Sequence, residues 1–144
     1  MSDDGAAWRE KRRSAADEHI AAIDRRKAAE TAQAAEHVAA FVREAKQRQL
    51  STTRLRAGSQ NGRTTYRTQL EGWYIKRNQT LAIGVDGQFY ILSAPASITA
   101  RVTGVVVHPS DPPLIVGAGG RDGESMPIAD LLALRLKAGA DFPA

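Results

Sequence analysis

Three histidines, His19, His37 and His108, are the residues of this chain best suited to proton transfer or metal ligation near neutral pH. His19 and His37 are 18 residues apart. On a helix that is about five turns, so they share a face but stand about 27 Å apart. A single chain cannot bring both to one metal ion. His108 precedes Pro109 and has no sequence neighbour that would complete a triad or ligand set. The glycine-rich run from Gly117 to Ser125 leads into a predicted helix and could cradle a phosphate, with Arg121 as an added cation. Its spacing fits neither G-x-G-x-x-G nor a G-K-[ST] loop, and Asp122 and Glu124 would repel an anion. Asp122, Glu124 and Asp130 also lack the spacing of an oxygen-ligand cation loop. The chain is therefore expected to be no enzyme, and to hold no metal and no cofactor.

The charge pattern is more informative. From Arg43 to Arg77 there are nine basic residues against two acids, although the whole chain carries only +4. If this region forms strands, alternation puts Arg54, Arg56, Arg63 and Arg67 on the outer face of one hairpin. Tyr74 and Lys76 are then expected on the outer face of the next strand. Guanidiniums beside an exposed aromatic ring suit phosphate contact with base stacking. Arginine outnumbers lysine 15 to 5 and there are 25 alanines, a bias typical of GC-rich bacterial genomes. That bias gives arginine a reason to appear wherever any cation would serve.

These residues need elements to hold them. From about Ala6 to Gln49 there is no proline or glycine, and strong helix formers dominate. One long helix is predicted, with Ser2, Asp3 and Asp4 as N-cap candidates. Val38, Phe41, Val42 and Ala45 share a face that should dock on the rest of the chain. Trp8, Ile20 and Ile23 have no such destination and could meet a partner. Charges at the heptad positions Lys27, Arg48, Glu30 and Glu44 argue against an ordinary self-paired coiled coil. No internal repeat is apparent.

From Ser51 the period changes to two. Two alternating runs flank a five-residue loop, Gly58 to Gly62, and read as a hairpin. Asp86-Gly87 between two further runs predicts a type I′ turn. A strand is predicted from Ile98 to Val107, with Ile98, Ala100, Val102 and Val106 on one side, and a short one at Leu114 to Val116. A helix from about Met126 to Ala138 follows, capped by Ser125 and closed by Gly139.

The predicted fold is α+β: a long helix over residues 1–50, then a small antiparallel β-meander or barrel-like domain over 51–144 with a short C-terminal helix packed on its sheet. With no cysteine, disulfides and thiolate metal sites are excluded. No apolar run reaches 18 residues and no export signal is visible, so a cytoplasmic chain without membrane contact is expected. The expected function is non-enzymatic: an adaptor that engages a protein partner, or another copy of itself, through its helix and basic face. Nucleic-acid binding by the basic hairpin is the alternative.

Overall fold

The computed structural model describes residues 2–117 and 125–142, with the side chains from Asp4 onward. Helix α1 runs unbroken over Ser2–Gln47, 46 residues and about 69 Å. Because the helix already starts at Ser2, the proposed capping residues lie within its first turn; Asp4 still sits near the positive end of the helix dipole. The C-terminal end closes with a Schellman motif. Leu50 N–H donates to Ala45 O and Gln49 N–H to Lys46 O, at 2.8 and 3.1 Å. Gln49 takes the left-handed conformation that glycine usually supplies here, with φ of 55°.

The β domain is a meander. β1 (Thr53–Ser59), β2 (Thr65–Tyr74), β3 (Leu81–Gly84) and β4 (Phe89–Ile91) pair antiparallel in succession. β5 (Ser93–Ala94) pairs parallel to β1, giving the order β4-β3-β2-β1-β5. Only Leu92 separates the two outermost strands, so the sheet must curl to bring its ends together. Leu92 serves both sides: its N–H donates to Thr80 O, and its carbonyl accepts from Gly58 N–H. The result is a curled, open sheet, not a closed barrel.

Curling gives the sheet two buried faces. Leu55, Ala57, Tyr66, Leu70, Tyr74, Ala82, Tyr90, Leu92, Ala94 and Val107 form the core inside the curl. On the outer face Trp73, Ile75, Ile83 and Phe89 pack against Ala34, Val38, Phe41, Val42 and Ala45 of α1. Phe41 meets Trp73 edge-on at 5.7 Å, and Trp73 Nε1–H donates to Leu50 O at 3.1 Å. The apolar face of the last third of α1 thus docks on the sheet, as its spacing required.

Four local expectations are corrected. The Asp86-Gly87 turn has positive φ at Gly87 alone (83°), with Gly84 N–H bonded to Gln88 O. That is the three-residue loop with a glycine bulge, held by Asp86 Oδ1 accepting from Gln88 N–H. Residues Ile98–Thr103 form helix α2, not a strand, capped by Ser97 Oγ and stopped at Gly104. In the turn after β1 the loop falls two residues later than expected, at 60–64. β6 (Ile115–Val116) pairs with β7 (Met126–Pro127), and helix α3 covers Ile128–Ala138. Pro127 therefore takes the N-cap position assigned to Ser125, while Gly139 closes α3 as predicted.

Candidate functional site

The hairpin face keeps only part of its predicted character. Arg54, Arg56 and Arg67 are exposed on one face, with Arg56 opposite Arg67 and Arg54 opposite Glu71. Between Arg54 and Arg56 the register slips, leaving backbone groups without ladder partners. Side chains take them up. Thr68 Oγ1 donates to Leu55 O and accepts from Leu70 N–H; Tyr74 Oη accepts from Arg56 N–H; Arg54 Nη1 donates to Gln69 O. Arg56 Nη2 reaches Thr65 O, and Arg67 Nη2 reaches Val102 O at 2.7 Å. Each of these three arginines thus ties down a carbonyl of its own domain. Arg63 is exposed in the turn, where Asn61 Oδ1 holds its N–H.

Tyr74 corrects the prediction outright. Its ring is buried inside the curl, because a sheet with two covered faces turns both parities inward near Trp73. No stacking ring stands beside the arginines. Lys76, half-buried beyond the end of β2, lies away from the hairpin face. It lines a cleft of about 740 Å³ with Arg77, Lys137, Leu131, Leu134 and Phe142.

Sequence reasoning missed Arg135 in that cleft. It is 5 % exposed; its Nε donates to Tyr74 O at 2.7 Å and its Nη1 to Gly139 O at 3.0 Å. The guanidinium also lies 4.4 Å from the Phe142 ring. Burial pushes its pKa below the ordinary arginine value. These contacts tie α3 to the end of β2, and nothing in the residue's sequence context marked it.

The upstream half of the helix is open to solvent. Every residue from 4 to 30 is exposed. Trp8, Ile20 and Ile23 are 60, 57 and 42 % exposed, with Arg12 stacked 4.6 Å from the Trp8 ring. Their placement reveals a repeat. Ala16-Asp17-Glu18-His19-Ile20-Ala21-Ala22-Ile23-Asp24-Arg25 matches Ala34-Ala35-Glu36-His37-Val38-Ala39-Ala40-Phe41-Val42-Arg43 at six of ten positions, with Ile20/Val38 and Ile23/Phe41 apolar in both. The offset of 18 residues is about five full turns, so both copies present the same face. Ala34, Val38 and Phe41 are at most 2 % exposed, whereas their counterparts Ala16, Ile20 and Ile23 are open to solvent. The repeat hides in a helix whose alanines recur at many spacings.

His19 and His37 are the equivalent histidines of the two copies, and both are exposed, as is His108. Among the described residues no group of three His, Cys, Asp or Glu is placed to hold a metal ion. Of the glycine-rich run, Arg121, Asp122 and Glu124 lie outside the described residues. No described helix is long and apolar enough to cross a membrane. No family model, curated protein or solved structure matches the chain.

Proposed function

We propose that this chain is a non-catalytic docking protein whose curled β domain anchors a projecting helix, and that the exposed upstream copy of the docking motif is the surface that meets a protein partner. The observation that carries this reading is the pairing of one motif copy that is buried with another, on the same helix face, that is not. Two isoleucines and a tryptophan exposed to solvent on one helix are the kind of apolar anchors that protein interfaces use. The basic hairpin offers less support for nucleic acid, since Arg54, Arg56 and Arg67 bond to backbone carbonyls and Tyr74 is buried.

The test is affinity capture from a nuclease-treated bacterial lysate, comparing wild type with Trp8→Ser/Ile20→Asp/Ile23→Asp. A partner retained without nucleic acid by wild type and lost by the variant, at unchanged thermal stability, is the expected result. Recovery of nucleic acid from a parallel lysate without nuclease, lost with Arg63→Glu and falling steeply with salt, would replace it with the polyanion reading.

A further inference from the structure

The two copies differ in ways that specify what the upstream one can bind, and this inference rests on the docking reading above. The downstream copy meets two kinds of surface. Toward α3 it presents His37, Ala40, Phe41 and Glu44, across a groove from Ala129, Leu132, Ala133 and Leu136. Toward the sheet it contributes Val42 and Ala45 to the shared core. Eighteen residues earlier, Asp24 stands in place of Val42 and Lys27 in place of Ala45. Of the four positions that face α3, the upstream copy keeps His19 and Ala22 and has Ile23 for Phe41 and Arg26 for Glu44, while Asp24 and Lys27 put charges where the downstream copy meets the sheet. Its footprint is one helix wide.

Charge narrows the partner further. At about 100° per residue, the residues within about 40° of the centre of this face, between Gly5 and Thr31, are Gly5, Arg9, Arg13, Ala16, Ile20, Ile23, Lys27 and Thr31. Every charge among them is positive: Arg9 and Arg13 on one side of the apolar centre, with Arg13 Nη1 3.8 Å from Glu10 Oε2 off the face, and Lys27 on the other. The acids Asp17, Asp24 and Glu30 fall to its flanks. The stripe continues directly into the internal interface that begins at Ala34. Its mean step of about 3.6 residues keeps it straight along the helix.

We infer that the upstream copy docks an acidic amphipathic helix: a partner segment with small and leucine-like residues at i, i+3, i+4 and i+7, as in Ala129, Leu132, Ala133 and Leu136, bounded at both ends by carboxylates. The apolar centre supplies burial against Ile20 and Ile23, and the terminal carboxylates meet Arg9, Arg13 and Lys27.

The probe is a short labelled helical peptide carrying that A-x-x-L-A-x-x-L stripe with glutamates at both ends, and a control with lysines there. Both are titrated with the full chain and followed by fluorescence anisotropy. The glutamate-ended peptide is expected to bind at least about tenfold more tightly than the control. Ile20→Asp/Ile23→Asp should weaken it by about tenfold or more, and Arg9→Glu/Arg13→Glu/Lys27→Glu should invert the preference. Equal binding of the two peptides, binding untouched by Ile20→Asp/Ile23→Asp, or no binding would overturn the inference. So would sedimentation showing that the stripe pairs with a second copy of the chain instead. Should lysate capture still depend on Ile20 and Ile23 while the peptides fail, the docking reading stands and the acidic helix falls. Loss of both removes both.

Discussion

Residues 16–25 and 34–43 of one helix carry similar sequences, yet the apolar face of one lies in the core and that of the other in water. The difference is not propensity, since alanine, glutamate and arginine favour helix equally in both. It lies in what the chain places opposite. Behind Val38 and Phe41 stand Trp73, Ile83 and Leu132; behind Ile20 and Ile23 the described chain places nothing. An amphipathic pattern states that a face wants burial without naming the partner, which here is internal for one copy and external for the other.

Equivalent substitutions should break this symmetry most sharply. Phe41→Asp is expected to cost about 5 kcal/mol or more and unfold the chain, while Ile23→Asp should shift thermal stability by less than about 0.5 kcal/mol. Trp73→Ala removes the centre of the surface behind the docked copy and should cost about 3–5 kcal/mol in denaturant unfolding. In hydrogen exchange, amides of the docked copy should be protected at least about a hundredfold more than those of the exposed one, because a helix without tertiary support frays. Similar protection in both would mean that the upstream half is held by something else.

Smaller effects sharpen the contrast. Burial, together with the hydrogen bond to Asp86, raises the pKa of Tyr90 to about 12 from an ordinary 10.0. The folded chain then keeps a proton that the unfolded chain releases. This contribution is intact below pH 10 and is lost as pH rises from about 10 towards about 12. Thermal melts across that range should show a decline in the sheet's transition, flattened by Tyr90→Phe. Last, Gln49→Gly relieves the left-handed residue that ends α1 and should stabilise by about 0.5–1 kcal/mol.

Much of this architecture was legible in the residues. Alternation in β1 and β2 placed Leu55, Ala57, Tyr66, Thr68 and Leu70 inward, and the 3-4 spacing of Val38, Phe41 and Ala45 named the docked face. Where a second face is buried, alternation loses its meaning, which is why Tyr74 was misplaced. Ile98, Val102 and Val106 fit a period of two and a step of four alike. Their β-branched side chains favoured a strand, but Ser97 and Gly104 bound a single helical turn and a half. The register slip opposite Leu55 and the tethering roles of Arg54, Arg67 and Arg135 depend on backbone groups that no side-chain pattern reports. On the helix, Trp8, Ile20 and Ile23 were identifiable as unmatched apolar residues; the kinship of Ile20 and Ile23 with the docked copy became plain only once one copy was seen to be buried.

The shared use of Leu92 also bears on how the protein behaves in a crowded solution. By bending one short segment across both sides of the sheet, the chain leaves outermost strands of three residues at β4 and two at β5. Ser110 further caps β4 through its N–H to Phe89 O. Edges so short give a foreign strand almost no template on which to propagate. Strand addition at β4 and β5 is thereby disfavoured, so the outermost strands add little risk of extension to a chain that holds an apolar arm in solvent.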